Sequence, residues 1–448
     1  MDRFFAPRTV ALVGASNDPE KMGNWLISRV ADNFSGRICP IHPSEASING
    51  LEVYPEVSAI DEPVDLLVAL VPAARLLPLV EGCRPGHVAY LLAIPAGFGE
   101  ASEDGRELER ELLRLTAERG IRVVGPNCMG MLNAVHGLNA SLVPEIPPGG
   151  AGFSCLTQSG GFGIAVTMYA LDHQMPVAKI CDLGNTSDVQ VSEVLAHYRA
   201  DPETRVVGLF LEAAREAGPF AAEIRKLAAV KPVVMTGLGR TEAGARASLA
   251  HLGLTPDLGG AADAGWSGGV IHAQTGRELL NIAKSLCWQP SAPGRRVAIM
   301  TGTGGIGAEF ADLCCGYGME VPVFSEDLQQ ALAAHLPAYA AVQNPIDTTP
   351  IWWEFPRVYP ALIETLMQSD EIDQVIVSVT DVATGIEDLA TAIAGAPRDK
   401  PAFVFWGARN HGLDNMRRIE ATGLPCYTTT WETVRALVAT SGGAVPPP

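Results

Sequence analysis

Apolar residues occur in short continuous runs that end on glycine-containing turns and lead into helical patterns. Three segments have this strand–turn–helix order: TVALVGASN (9–17), AGFSCLTQSGGFGIAV (151–166) and RRVAIMTGTGGIGAEFADL (295–313). A continuous apolar run of this length is typical of a strand in a parallel sheet that is covered by helices on both faces. Each segment therefore predicts the opening of a separate α/β unit.

Further apolar runs of strand length follow these openings and divide the chain into three stretches. The runs occupy residues 64–72, 87–95 and 121–127, then 177–184, 206–212 and 232–238, and finally 374–380 and 402–407. Pro- and Gly-rich segments at 143–150 and 287–294 separate the stretches, as linkers do. We therefore predict an α/β protein of three doubly wound, mostly parallel sheet domains, at residues 1–145, 146–290 and 291–440, followed by a disordered tail at 441–448.

The glycine-containing turn TQSGGFG (157–163) is a candidate anion site because it precedes a predicted helix. Exposed N–H groups and the positive end of the helix dipole favour an oxyanion at such a start. Ser159, Gly160 and Gly161 supply those groups. An ordinary serine N-cap, with glycine for close packing, explains the same residues equally well.

Net charge and cysteine content limit the classes of partner. The net charge of −18 argues against nucleic acid, because phosphate-backbone binders need clustered basic residues. Backbone N–H groups can still hold a small anionic ligand. Nine cysteines without a C-x-x-C pair indicate neither a disulfide framework nor a metal site. Without a signal peptide or an apolar run of membrane length, we expect a cytoplasmic protein with no membrane partner.

A different class of function has to be weighed at GTGGIG (302–307). This segment fits the pattern G-x-G-x-x-G after a predicted strand and before a predicted helix. Glu326 follows at a spacing that suits a ribose-binding carboxylate, so an NAD-dependent oxidoreductase is one alternative. The same glycines also serve any tight turn from a strand into a helix, and no acid–base histidine set lies nearby in the sequence.

One histidine ends an alanine-rich helical pattern. It is His251 in GRTEAGARASLAHLGLTPD (239–257), with no cysteine or second histidine near enough in sequence to share a metal ion. A solvated loop histidine is the simplest interpretation of such a residue taken alone.

Several motifs taken together resemble one protein family. Motifs resembling a CoA-binding domain are VALVGAS, GRICPIHP, PVDLLVALVPA, IPAGFGE and GPNCMGMLN. Those resembling the two ligase domains that follow are TQSGGFGIAV, LGNTSDV, GLFLEAAREAG and GRTEAGARASLAHLG, then AIMTGTGGIG and QNPIDTT. In this order they resemble the alpha subunit of ADP-forming (NDP-forming) acyl-CoA synthetases, relatives of succinyl-CoA synthetase. The resemblance covers nearly the whole chain and implies one Rossmann-like CoA-binding domain and two flavodoxin-like domains.

The resemblance also implies roles for individual residues. His251 corresponds to the histidine that accepts phosphate in this family, and Glu212 to the carboxylate that orients its imidazole. A phosphoryl-accepting imidazole needs such a partner to fix its tautomer, although a surface carboxylate at a strand end is the alternative for Glu212. The phosphoryl oxygens are expected on Ser159, Gly160 and Gly161. Residues expected to contact CoA are Gly14, Ala15, Ser16, Val71, Pro72, Ala73, Ile94, Pro95, Ala96, Pro126, Asn127 and Cys128.

Four positions depart from the pattern of the family. Ala250 and Leu252 flank His251, where the family usually has serine and threonine. His42 stands where asparagine is common, and Pro95 stands where serine is common. These departures concern CoA affinity and the ease of phosphorylation, whereas the nucleophile itself is retained.

The activity that the resemblance implies is an acid-thiol ligase reaction. A small carboxylic acid, CoA and ATP are interconverted with acyl-CoA, ADP and phosphate through an acyl phosphate and a phosphohistidine. Every long segment is already assigned to three domains, so we expect the site for ATP or ADP with Mg²⁺ on an ATP-grasp beta subunit, in an α2β2 assembly. Besides the oxidoreductase, a non-catalytic CoA-binding regulator of the same fold is an alternative.

Overall fold

The computed structural model divides the chain into two compact units, Met1–Val270 and Ile271–Pro448. It describes residues 1–212, 216–239, 241–252, 269–379, 386–407 and 409–442, with the backbone alone for 248–252, 386 and 409–411.

A fully parallel sheet forms the first part of the Met1–Val270 unit. Its strands are β1 (Thr9–Val13), β2 (Arg37–Ile41), β5 (Val64–Ala69), β6 (Val88–Ala93) and β7 (Arg122–Val124), and a separate antiparallel pair is β3 (Ser47–Ile48) with β4 (Leu51–Glu52). The order across the sheet is β2-β1-β5-β6-β7. The helices are α1 (Asp2–Phe5), α2 (Met22–Asn33), α3 (Leu76–Glu81) and α4 (Glu103–Arg119), with 3₁₀ turns at Val57–Ala59 and Ala73–Arg75.

Helix α4 illustrates how local sequence sets these elements. The Ser102 side chain accepts the N–H of Gly105 at 3.0 Å, which caps the start of the helix. Gly120 ends it at a φ of 71°, a left-handed conformation that glycine adopts without steric cost. Leu112 and Leu115 are buried against the sheet, and Arg114 between them is exposed.

A second sheet completes the same unit. Its strands are β8 (Gly130–Asn133), β9 (Leu138–Ser141), β10 (Gly149–Thr157), β11 (Val177–Asp182), β12 (Thr204–Leu211) and β13 (Val233–Gly237). Within this unit their order is β13-β12-β10-β11-β8-β9, in which the first four are parallel and the β8–β9 hairpin is antiparallel. The helices are α5 (Gly160–His173), α6 (Val191–Ala200), α7 (Ala217–Ala228) and α8 (Glu242–Leu252). One apolar cluster contains buried residues of both sheets, including Leu12, Met131 and Leu209.

The Ile271–Pro448 unit contains a further parallel sheet, in the order β16-β15-β17-β18-β19. The sheet strands are β15 (Val297–Thr301), β16 (Ile346–Asp347), β17 (Gln374–Val379), β18 (Ala402–Trp406) and β19 (Cys426–Tyr427), and the unit begins with a further short strand, β14 (Ile271–His272). The helices are α9 (Gly276–Trp288), α10 (Gly304–Gly316), α11 (Glu326–Ala333), α12 (Phe355–Gln368), α13 (Ile386–Ala394), α14 (Arg409–Glu420) and α15 (Thr430–Thr440), with a 3₁₀ turn at Trp352–Glu354. The predicted α/β class with several mostly parallel sheets is confirmed. The predicted domain boundaries stay predictions, and the predicted tail lies largely outside the described residues.

Candidate functional site

The carboxyl edge of the first sheet carries the four loops that were predicted to contact CoA. The loops follow β1, β5, β6 and β7, which are neighbouring parallel strands, so all of them lie at one edge. Strand order reverses between β1 and β5, and ligands of open α/β sheets bind at such a switch point. The residues brought to this edge are Gly14, Ala15, Ser16, Val71, Pro72, Ala73, Ile94, Pro95, Ala96, Pro126, Asn127 and Cys128.

The turn after β1 requires close approach of backbone to backbone. Gly14 has a φ of 97°, and a Cβ on it would lie 2.2 Å from the carbonyl oxygen of Leu70. A Cβ on Gly23 would lie 1.8 Å from the carbonyl oxygen of Gly14. These two glycines allow β1, the end of β5 and α2 to meet. The turn therefore brings backbone groups to the sheet edge, and backbone N–H donors are what the phosphates of CoA would need there.

Two of the loops predicted to contact CoA, those after β6 and β7, are hydrogen-bonded to each other. The N–H of Asn127 donates to the carbonyl of Pro95 at 3.0 Å, and the N–H of Cys128 donates to the carbonyl of Ile94 at 3.3 Å. Burial raises the pKa of the Cys128 thiol well above its usual range. A buried thiol of this kind stays protonated and unreactive, so Cys128 contributes shape to the loop and is no nucleophile.

The predicted phosphate turn, Ser159–Gly161, lies at the carboxyl edge of the second sheet. Ser159 is the N-cap residue of α5, yet its side chain makes no capping hydrogen bond. Its N–H donates instead to Oγ1 of Thr157 at 2.9 Å. Among the described residues, no atom lies within 4 Å of a Cβ placed on Gly161, so they leave this side of the helix start open. Because the first N–H groups of a helix have no partner within it, the turn offers donors to an oxyanion.

Glu212 is tied to this turn through one amide side chain. It directly follows β12 and is only 3% exposed, so the alternative of a surface carboxylate is wrong. Oε1 of Gln158 accepts the N–H of Glu212 at 2.8 Å, and Nε2 of Gln158 donates to Oγ1 of Thr186 at 3.0 Å. Gln158 precedes Ser159 in the chain, so Glu212 is fixed beside the turn where a phosphoryl group is expected.

Sequence analysis missed a second buried carboxyl group, Asp182 at the end of β11. Burial raises its pKa to about 6, hydrogen bonds from the N–H groups of Met129 and Gly184 oppose the rise, and the negative charge of Glu212 adds to it. The available signal was an aspartate that ends an apolar run, VAKICDLG, at the carboxyl edge of a predicted sheet.

His251 lies in α8, near its last residue. The helix begins as the sequence indicates, because Oγ1 of Thr241 accepts the N–H of Gly244 at 3.0 Å. The side chains of Ala250, His251 and Leu252 lie outside the described residues, and so does the segment 253–268. The pairing of His251 with Glu212 therefore stays a prediction.

His42, one of the departures from the family pattern, has a defined role in its loop. It follows β2, and its Nδ1 accepts the N–H groups of Ser44 at 3.3 Å and Glu45 at 3.2 Å. An imidazole whose Nδ1 accepts must carry its proton on Nε2. His42 thus offers one donor, Nε2–H, beyond the loop that it closes.

The alternative based on GTGGIG finds little support in the Ile271–Pro448 unit. Gly304 begins α10 after β15, as the pattern requires. Glu326, however, begins helix α11, and Ser325 caps that helix by accepting the N–H of Leu328 at 3.2 Å. In a dinucleotide-binding unit the ribose-binding carboxylate ends the second strand instead.

Neither a metal-binding cluster nor a membrane-spanning helix occurs in the described part of the chain. Within it, no group of three or more His, Cys, Asp or Glu side chains is arranged to hold a metal ion. No helix there is both long enough and apolar enough to cross a bilayer.

Comparison with known protein families defines the class of protein. The family "CoA binding domain" matches residues 8–134 and "Succinyl-CoA ligase like flavodoxin domain" matches residues 149–286. The family "Ligase-CoA domain" matches residues 297–390. Together with the carboxyl-edge site, these matches define a CoA ligase with the domain order of the succinyl-CoA ligase group.

Individual relatives narrow the class. The acetate–CoA ligase (ADP-forming) II subunit alpha of Pyrococcus furiosus is 29% identical over 95% of this chain and 94% of its own. Acetate–CoA ligase (ADP-forming) I of Archaeoglobus fulgidus is 30% identical over 98% of this chain, which spans 63% of that protein. The ADP- and phosphate-bound acetyl-coenzyme A synthetase 1 of Ca. Korarchaeum cryptofilum has a TM-score of 0.90, with 28% identity, 98% of this chain and 96% of the other covered.

The chain therefore belongs to the ADP-forming acyl-CoA synthetases and corresponds to their alpha subunit. The resemblance stated from the motifs is confirmed. An NAD-dependent oxidoreductase is not favoured.

Proposed function

We propose that this subunit interconverts a carboxylic acid, CoA and ATP with acyl-CoA, ADP and phosphate, through an acyl phosphate and a phosphohistidine at His251. The observation that supports the proposal is the position of two sets of candidate residues within the Met1–Val270 unit. The four CoA loops share the carboxyl edge of one sheet, and the Ser159–Gly161 turn and Glu212 share the carboxyl edge of the other. A ligase that passes an acyl group to a thiol needs both sites in one molecule.

Each of these residues has a task that its chemistry suits. The buried Glu212 accepts the imidazole N–H of His251, which holds the other ring nitrogen as the nucleophile and stabilises the cation that forms. The N–H groups of the Ser159–Gly161 turn hold the phosphoryl oxygens. The carboxyl-edge loops orient CoA, which supplies the thiol that takes the acyl group. A covalent phosphohistidine divides one difficult transfer into two easier ones.

The nucleotide site belongs to a partner in this proposal. Two relatives are named as alpha subunits, which supports a separate partner subunit. We expect the partner to be an ATP-grasp beta subunit that binds ATP or ADP with Mg²⁺, in an α2β2 assembly. The segment that carries His251 would then have to move between the acyl phosphate site and that partner.

Co-expression with an ATP-grasp beta subunit tests the proposal. After mixing with ATP and Mg²⁺, intact mass and peptide mapping should find one phosphoryl group on His251, and His251→Ala should abolish it. His136→Ala is the matched control, because this half-exposed histidine lies on the β8–β9 hairpin and should leave phosphorylation unchanged.

A screen of carboxylates for CoA-dependent ADP release then identifies the acid. CoA binding without any phosphotransfer would instead favour the non-catalytic regulator. Interconversion of ATP and ADP by this chain alone would contradict the assignment of the nucleotide site to a partner.

A further inference from the structure

Asp182 lies between the predicted CoA loops and the predicted phosphate turn. On one side β11 pairs with β10, where Asp182 is level with Thr157, two residues before Ser159. On its other side β11 pairs with β8, which begins at Gly130, two residues after the predicted CoA loop at 126–128. The register of the sheet thus places one buried carboxylate between two segments that the proposed reaction must bring together.

Both carboxylate oxygens of Asp182 accept backbone hydrogen bonds near the CoA loop. Oδ2 accepts the N–H of Met129 at 2.6 Å, and Oδ1 accepts the N–H of Gly184 at 3.0 Å. Gly184 packs directly on that loop, because a Cβ on it would lie 2.2 Å from the carbonyl oxygen of Pro126. Hydrogen bonds to a charged acceptor are stronger than neutral ones. Asp182 therefore holds the loop at Met129 and holds the segment on which the loop rests.

Met129 extends this contact to the phosphate turn. A Cβ on Gly160 would lie 3.3 Å from Cβ of Met129 and 3.5 Å from Oδ2 of Asp182. A Cβ on Gly163 would lie 2.7 Å from the sulfur of Met129. The first turn of α5 therefore packs against the side chains of Met129 and Asp182. A shift of Met129 would displace this turn, where the phosphoryl group is expected to bind.

We propose that Asp182 is a positioning residue that fixes the CoA loop relative to the phosphate turn, so that the thiol of CoA reaches the acyl carbon of the acyl phosphate. This inference rests on the proposed function. In that step a bond forms between the acyl carbon and the thiol sulfur. The carbon–oxygen bond to the phosphoryl group breaks, and the thiol proton leaves on inorganic phosphate.

The two halves of the reaction depend differently on such positioning. In the proposed function, phosphorylation of His251 by ATP takes place at the nucleotide site of the partner subunit and needs no CoA. Acyl transfer to CoA needs both sites at the correct distance, and small errors in position cost large factors in rate. A residue that only stabilised the fold would lower both halves alike.

Asp182→Asn in the complex with the beta subunit tests the inference. The amide keeps the shape of the side chain but turns an NH₂ group towards one of the two N–H donors. Losing one charge-assisted hydrogen bond should raise the KM for CoA about tenfold or more and lower kcat of the overall reaction. Phosphorylation of His251 by ATP should stay within about threefold of the wild-type rate.

Asp201→Asn is the matched control, because Asp201 is another buried carboxylate and lies just before the amino end of β12, where it accepts a hydrogen bond from Lys179 at 2.7 Å. It should leave the KM for CoA at the wild-type value. If Asp182→Asn does not fold, Gly163→Ala takes its place, because its added Cβ displaces Met129 from the side of α5. This variant should likewise raise the KM for CoA and leave the phosphorylation of His251 by ATP close to the wild-type rate.

An unchanged KM for CoA in Asp182→Asn, or an equal loss in both halves, overturns the inference. If the wild-type complex forms no phosphohistidine, the proposed function fails instead. Calorimetry with CoA on the wild-type and Asp182→Asn proteins then decides about Asp182. A weaker affinity in the variant supports its role in holding the loop, and an unchanged Kd overturns it.

Discussion

Replacing Asp182 by Asn should change how the stability of the Met1–Val270 unit depends on pH. The folded protein raises the pKa of this carboxyl from 3.8 to about 6, chiefly through burial. At 1.36 kcal/mol per pKa unit, a rise of about 2 units corresponds to about 3 kcal/mol of differential stability. Because the folded pKa is the higher one, this stability is present below about pH 4 and is lost as the pH rises through about 6.

The asparagine variant has no titrating group at this position, so it should not undergo this loss. Its free energy of unfolding should therefore rise relative to that of the wild type, by about 2 kcal/mol between pH 4.5 and 7.5. At any single pH, the difference in free energy of unfolding between variant and wild type also includes the contribution of the hydrogen bonds that the variant loses. The change between the two pH values is consequently the quantity to measure.

Hydrogen–deuterium exchange with mass spectrometry can read this change from peptides of β10, β11 and β12. Both proteins are compared at the same pH, so intrinsic exchange rates cancel, and tenfold in protection corresponds to about 1.4 kcal/mol. Asp201→Asn is the control. Burial raises the pKa of the Asp201 carboxyl, but the hydrogen bonds from Lys179 and Thr204 together with the charge of Lys179 keep it below the usual range. Its stabilising effect is lost only as the pH falls below about 4, so protection in this variant relative to the wild type should be nearly the same at pH 4.5 and 7.5. The reasoning would be refuted if protection in Asp182→Asn, divided by protection in the wild type, were equal at pH 4.5 and pH 7.5.

Three further changes test other parts of the structure. Glu212→Gln keeps the shape of the side chain but removes its charge, so labelling of His251 from acyl-CoA and ³²P-phosphate, which passes through the acyl phosphate site, should slow at least about 100-fold; a normal rate would exclude the proposed role. Gly184 has a φ of 49°, and in Gly184→Ala the added Cβ would clash with the predicted CoA loop, so calorimetry should show CoA binding weakened about tenfold or more. Gly218→Ala is the control, because its Cβ would lie within 4 Å of no described atom, and it should leave CoA binding unchanged. Lys284→Ala removes the positive charge that the buried Glu420 carboxylate binds and should cost about 3–5 kcal/mol in thermal unfolding; a shift below 1 °C would contradict this.

The part of the candidate site that depends only on where parallel strands end could be predicted from the sequence. Apolar runs ending on Gly14, Pro95 and Pro126 indicated loops at strand ends, and parallel strands bring such ends to one edge whatever the details of packing. The Ser159–Gly161 turn was equally visible, because a helix start with two glycines is a local property. The motifs also identified the family correctly.

The sequence alone determined that this protein has an α/β fold, and it showed which strand ends carry the candidate functional residues. Both follow from apolar runs and turn residues, which act over a few neighbouring positions. The tertiary structure alone decided that the β8–β9 hairpin pairs with β11 and that Asp182 lies between the loops predicted to contact CoA and the turn predicted to hold phosphate. It also decided that burial raises the pKa of Asp182 to about 6. Strand pairing, burial and the field of a neighbouring carboxylate depend on residues that are distant in the chain, and no local pattern encodes them.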